Sequence, residues 1–114
     1  MTEHLFSYGT IQNDKTQLIL FGRLLEGTRD SLPGYKLASV EIRDPAFLGR
    51  GEEKFQRTIV KSGEEAECIN GTVFKISEDE LSKTDQYEPL EYKRTRVTLQ
   101  SGKEAWIYTA SAIK

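Results

Sequence analysis

Residues whose types and spacing could do chemistry are few in this sequence and fall in two short stretches far apart along the chain. The first, Tyr8-Gly9-Thr10-Ile11, follows directly on the apolar run His4-Leu5-Phe6-Ser7-Tyr8. A glycine at such a break lets another molecule approach the backbone, and the successive N–H groups of Gly9, Thr10 and Ile11 make a nest suited to an anion. The second, Asp85-Gln86-Tyr87-Glu88, sits just before Pro89 and brings two carboxylates to the end of a predicted helix. Taken alone, each stretch also has an ordinary reading. A Glu at a helix end before Pro is usually a solvated surface residue, Tyr8-Gly9-Thr10 a plain strand-to-loop transition, and Asp85 a residue that caps, pairs or orients. Arg23 reads either as an ion-pair partner or as a binding group, with the ion pair favoured.

Most other chemistries are excluded by what the chain lacks. One cysteine, Cys68, and one histidine, His4, cannot make a zinc site of the usual kind, an intrachain disulfide or a triad that relies on a histidine. No metal and no cofactor is expected. Gly49-Arg50-Gly51 is followed by Glu52-Glu53-Lys54, so the dinucleotide-binding glycine pattern is incomplete, and there is no Walker loop. Sixteen Lys and Arg against eighteen Asp and Glu give a formal charge of -2, without the basic excess that nucleic acid requires. Lys93, Arg94 and Arg96 therefore read as a solvated strand face. No apolar run approaches the ~20 residues that span a bilayer, and the first residues have neither a basic nor an apolar leader region. The expected setting is the cytoplasm, with no membrane partner, and Asn70-Gly71-Thr72 is discounted as a glycosylation site.

The elements that must position the two stretches follow from periodicity and turn residues. At 114 residues, with 37% hydrophobic and 30% charged, the chain reads as one domain over residues 1–114. Leu18, Phe21, Leu24 and Leu25 recur at helical spacing, although Leu18-Ile19-Leu20-Phe21 would also suit a buried strand; the reading is a short helix near 14–21 giving way to a strand. Pro33-Gly34 marks a tight turn into a strand over 35–43. Residues 44–54, with Pro45, Gly49 and Gly51, predict an exposed, mobile loop. Strands are expected over 55–61, turning at Ser62-Gly63, and over 68–76, where Asn70-Gly71 is either a hairpin turn or a bulge. Ser77 and Glu80 form a capping box for a helix that runs to Gln86 or Tyr87. Finally, a two-residue turn at Ser101-Gly102 would pair Leu99 with Glu104, Val97 with Trp106 and Thr95 with Tyr108. That register turns Val97, Leu99, Trp106 and Tyr108 inward as core residues, with Tyr92, Arg94, Arg96 and Ile107 facing the other way. The Tyr108 hydroxyl then reaches a pocket.

These motifs together resemble the γ-glutamylcyclotransferase-like family, whose members carry a YGTL loop after a strand, a G-x-V-[YF] strand, an [LI]D-x-[YF]-E segment and a closing W-x-Y strand. Here they stand, in that order, as Tyr8 to Ile11, Gly71 to Phe74, Asp85 to Glu88 and Trp106 to Tyr108. Gly22-Arg23 and Leu32-Pro33-Gly34-Tyr35 extend the likeness over nearly the whole chain. Ile11 replaces a Leu, and Thr84 stands where a Leu commonly precedes the Asp. The resemblance implies an α+β fold, a small mixed β-barrel with a few short helices, in which residues 69–76 form a strand through Gly71 and residues 14–21 a helix. A monomer or weak homodimer is expected.

The resemblance also implies a reaction. In such proteins the α-amine of a γ-glutamyl amide, amine or peptide attacks its own γ-carbonyl, releasing 5-oxoproline and an amine, with no protein nucleophile. By resemblance, Glu88 is the general acid/base that takes the proton from the α-ammonium and returns it to the departing amine. A barrel mouth that desolvates Glu88 would raise its pKa and improve it as a base. Tyr8, Gly9, Thr10 and Ile11 would hold the substrate α-carboxylate, and the Tyr108 hydroxyl would donate to substrate or to the developing oxyanion. The alternative is a non-catalytic binding module of the same fold that recognises a small carboxylate or a protein partner; a carboxylate at position 88 facing the loop favours the enzyme.

Overall fold

The structure is a computed structural model and describes residues 2–62, 67–89 and 91–110. Local sequence sets its helices. In α3 (Glu78–Tyr87) the Ser77 hydroxyl accepts from the Glu80 amide at 3.1 Å, and the Glu80 carboxylate accepts from the Ser77 amide at 2.9 Å, completing the expected capping box. The same carboxylate takes two bonds of 2.7 Å from Arg23, which is thus an ion-pair residue tying the end of α1 (Asp14–Phe21) to the start of α3. Helix α1 ends at Gly22, whose φ of 72° supplies the left-handed cap. Its buried face differs from the leucine spacing: Leu18 and Leu24 are 51% and 53% exposed, while Gln17 and Phe21 are buried. Gln17 tolerates burial because both ends of its amide are used, Nε2 donating to the Ile11 carbonyl and Oε1 accepting from the Leu25 amide, each at 2.8 Å.

Seven strands among the described residues form two sheets. Strands β1 (Thr2–Ser7), β2 (Glu26–Pro33), β5 (Cys68–Ser77), β6 (Tyr92–Thr98) and β7 (Glu104–Ala110) make a sheet of order β2-β5-β1-β7-β6. Strands β3 (Tyr35–Glu41) and β4 (Phe55–Lys61) pair only with each other. The β1 and β7 pair is parallel, with Leu5 opposite Trp106. Alternation along the strands buries both faces: Leu5, Phe74, Ile76 and Tyr108 pack with Phe21 and Leu81 of the helices, and Phe6, Val73 and Ile107 with Ile59 of the β3–β4 hairpin.

The expected barrel is not closed. Edges β2 and β6 of the larger sheet do not pair with each other among the described residues; β2 is joined to the β6–β7 turn, where the Gln100 amide donates to the Ser31 carbonyl at 2.8 Å and the Ser101 hydroxyl to Asp30 at 2.6 Å. Elsewhere the gap is spanned by side chains rather than a ladder, since Pro33-Gly34 turns the chain out of the sheet with Gly34 at φ 81°. The Ala110 amide donates to the Thr58 hydroxyl at 2.9 Å, and the Tyr92 hydroxyl to the Arg57 carbonyl at 2.6 Å.

Three local expectations are corrected. The β6–β7 hairpin has Val97 opposite Ala105 and Arg96 opposite Trp106, one residue off the expected register. Three residues, not two, form its tip: the Leu99 amide reaches the Lys103 carbonyl at 2.8 Å, and Gly102 takes φ 91°. Val97, Leu99, Ala105 and Ile107 therefore share the hairpin side, while half-buried Trp106 lies between Arg94 and Arg96, each 4.5 Å from its ring. Residues 44–54 are not simply an exposed loop. Asp44 caps a short helix, α2 (Pro45–Leu48), and Phe47 is buried. Asn70-Gly71 is neither the turn nor the bulge that the dipeptide alone suggests, whereas the strand through Gly71 that the resemblance implies is present, because β5 pairs without interruption with β1 and β2. A Cβ at Gly71 would sit 2.8 Å from the Phe6 ring and strike the Ser7 carbonyl, so close approach explains the glycine. The turn expected at Ser62-Gly63 runs into residues 63–66, outside those described.

Candidate active site

Strand β1 ends at Ser7 and passes through Tyr8 and Gly9 into a 3-10 turn, Thr10–Gln12. Side chains hold this loop by its carbonyls. Gln12 Nε2 donates to the Gly9 carbonyl at 3.3 Å, Gln12 Oε1 accepts from the Thr72 hydroxyl at 3.1 Å, and Gln17 holds the Ile11 carbonyl. The Thr10 and Ile11 amides open the helical turn, where no carbonyl of the turn can reach them, and they bond to none of the described residues. An added Cβ at Gly9 would meet nothing within 4 Å, so packing does not demand glycine there.

Across from the loop stands the end of α3. Pro89 cannot continue the helix, and Glu88 is already extended, with φ -71° and ψ 148°. Glu88 and residues Tyr8 to Ile11 line one cavity of about 340 Å³. The Glu88 carboxylate is half-buried and makes no hydrogen bond or ion pair with a described residue. Burial pushes its pKa up to about 7; Arg50 opposes the rise and Glu52 adds to it. The Tyr87 and Thr10 hydroxyls, 3.3 Å apart, connect the two halves at the rim.

Two tyrosines are built into the wall. The Tyr8 hydroxyl donates to the Tyr108 carbonyl at 2.6 Å, and burial raises its pKa. Tyr108 lines the cavity, and its hydroxyl donates to Asp85 Oδ1 at 2.6 Å; burial first, then that bond, raises its pKa as well. The register change leaves Tyr108 buried, because the helices cover the face it occupies.

Sequence reasoning passed over Gln12, Gln17, Arg50 and Arg57. Arg50 donates to the Tyr87 carbonyl at 2.8 Å and stacks between Phe47 and Tyr87. Arg57 is the cationic lining residue among the described ones, against Glu52, Glu53 and Glu88. Only the strand assignment of 55–61 hinted at Arg57, and it did not say which cavity β4 would border. Chemically, the arrangement offers a carboxyl able to accept and return a proton near neutrality, opposite backbone donors that suit an anion.

The sequence model of the family described as gamma-glutamyl cyclotransferase, AIG2-like, matches residues 5–114. Among solved structures, a protein of Arabidopsis thaliana is 20% identical with a TM-score of 0.70, covering 96% of this chain but 62% of its own. A protein named gamma-glutamyl cyclotransferase is 17% identical with a TM-score of 0.70, over 97% of this chain and 68% of that one. An uncharacterized Homo sapiens protein is 17% identical with a TM-score of 0.75, over 99% and 69%. At these identities the likeness establishes the fold, an α+β arrangement with a sheet-rich core and few helices. No curated protein sequence matches the chain. Among the described residues no helix is long and apolar enough to cross a membrane.

Proposed function

The chain belongs to the gamma-glutamyl cyclotransferase, AIG2-like family, and on that premise we propose that it is an enzyme converting a γ-glutamyl amide, amine conjugate or peptide into 5-oxoproline and a free amine. The observation that carries this reading is Glu88: a half-buried carboxylate with no partner among the described residues, facing the cavity shared with the Tyr8 to Ile11 loop, its pKa pushed up to about 7.

Glu88 takes a proton from the substrate α-ammonium, and the freed amine attacks the γ-carbonyl carbon. A C–N bond forms, closing a five-membered ring, and the carbonyl oxygen gains the charge. Collapse of that intermediate breaks the original amide C–N bond, protonated Glu88 gives its proton to the departing nitrogen, and the ring nitrogen, which still carries two protons after the attack, loses one to the released amine or to solvent. Glu88 ends as it began, and no cofactor takes part. A carboxyl with a pKa near 7 suits both transfers at neutral pH. The Thr10 and Ile11 amides hold the α-carboxylate beside Gly9, whose own amide donates to the Ser7 hydroxyl at 3.3 Å, and Arg57 supplies its counter-charge. Tyr8 and Tyr108 form the wall against which the substrate folds. Holding a flexible γ-glutamyl chain in attack geometry is the larger contribution, within the ~7 to 11 kcal/mol available to ideal orientation.

A panel of γ-glutamyl amides, amines and peptides, assayed for 5-oxoproline release, tests this reading with Glu88→Gln as control. Turnover by the wild type and a loss on the order of 10² to 10⁴ in the variant is expected. Absence of turnover across the panel, with γ-glutamyl compounds still bound, would point to the binding module instead.

A further inference from the structure

We infer that Tyr108 is a positioning residue that sets the span between the Glu88 carboxylate and the Tyr8 to Ile11 loop, holding α3 through Asp85 and the loop through Tyr8. The inference rests on the proposed reaction and says which residue keeps its two halves in register.

Tyr108 makes two short bonds in opposite directions. Its side chain points to the helix face of the sheet, where the hydroxyl donates to Asp85 Oδ1 at 2.6 Å. Asp85 lies three residues before Glu88, on the last turn of α3. Its carboxylate is held from a second side by Arg94, whose Nε is 3.6 Å from the same oxygen, and Arg94 is itself laid over Trp106. The other bond comes from the Tyr108 carbonyl, which accepts the Tyr8 hydroxyl at 2.6 Å. Tyr8 is the first residue of the loop. Tyr108 is 6% exposed and sits in a strand bonded on both sides, by β1 and β6, so it moves little.

The hydroxyl proton of Tyr108 is committed to Asp85, and Glu88 is among the charges that disfavour ionising this phenol. Those facts fit a residue acting through its neighbours. Distance between the proton acceptor and the anion donors decides whether the α-amine reaches the γ-carbonyl, and a misplacement of about 1 Å is enough to cost roughly a hundredfold in rate.

The test compares Tyr108→Phe, Asp85→Ala and Asp85→Asn. Phe keeps the ring and the carbonyl bond to Tyr8 but loses the hydroxyl; Asn keeps an acceptor oxygen for Tyr108, and Ala does not. Tyr108→Phe and Asp85→Ala each lower kcat by roughly ten- to a hundredfold with KM within about twofold, and Asp85→Asn restores most of the loss. The double variant Tyr108→Phe with Asp85→Ala is no worse than either single one, since both remove the same link. Tyr108→Phe raising KM with kcat intact, or Asp85→Ala behaving as wild type, overturns the inference. A second readout needs no turnover: carboxyl carbon NMR follows the Glu88 titration, whose midpoint drops by roughly half a unit or more once the end of α3 loosens and Glu88 is better solvated. A midpoint unmoved in both Tyr108→Phe and Asp85→Ala also overturns it, whereas an inactive wild type with shifted midpoints would count against the reaction alone.

Discussion

The guanidinium of Arg50 lies 5.1 Å from the centre of the Tyr87 ring and donates to the Tyr87 carbonyl at 2.8 Å. This holds a positive charge next to the residue that precedes Glu88, where it counters the effect of burial on the carboxylate. Arg50→Gln should move the midpoint of the kcat/KM profile above about 7, by roughly half a unit to one unit. Activity falls at pH 6.5 and approaches wild type at pH 9. Profiles measured on one γ-glutamyl substrate check this, and a midpoint that moved down would contradict it.

Glu88 binds its proton more tightly in the folded chain, at about 7 against an ordinary 4.5. Between these values the folded state carries protons that the unfolded state has lost, so stability falls as pH rises and the loss is complete above the folded value. Glu88→Gln removes that dependence. The variant should melt above wild type at pH 8, and the two should coincide at pH 4. Paired thermal melts decide the matter without any substrate.

Gly9→Val concerns ligand approach rather than folding. With no atom within 4 Å of an added Cβ, the variant should melt within a few degrees of wild type. Binding of 5-oxoproline, followed by amide NMR of Thr10 and Ile11, should be lost. Retained binding would remove the loop amides from the site.

Gly71→Ala tests the opposite situation. Its Cβ would sit 2.8 Å from the Phe6 ring and against the Ser7 carbonyl, so β1 must move away. The expected cost is about 1–3 kcal/mol, seen as a fall in Tm. Because Ser7 precedes Tyr8, the same change disturbs the loop, and ligand affinity should drop with stability.

The parts of this fold legible in the sequence are those fixed by neighbouring residues. Ser77 and Glu80 announced their helix because both halves of the capping box lie within one turn. Pro33-Gly34 carried its own backbone angles, and the positive φ appears at Gly34. The helix over 14–21 was legible, but its buried face was not, since Gln17 is paid for by the Ile11 carbonyl and Leu25 amide, contacts that no hydrophobicity pattern encodes. The β6–β7 register failed on one residue: Gly102 at φ 91° fits a three-residue tip as well as a two-residue one, and a single step exchanges the faces. The order of four motifs brought Glu88 and the loop into view together. Arg50 stayed hidden because its place depends on α2 packing beside α3, a contact between elements that neither segment predicts.

The bond from Tyr8 to Tyr108 joins residues 100 apart in the chain, and that from Trp106 to Glu3 spans 103. Seating strand β1 between β5 and β7 closes a loop of about a hundred residues, so a large loop-closure entropy is met before these contacts are made. Contacts of such separation form later than local ones. On refolding, ligand binding at the cavity should return in the same final phase as the burial of Trp106, with no earlier species competent to bind.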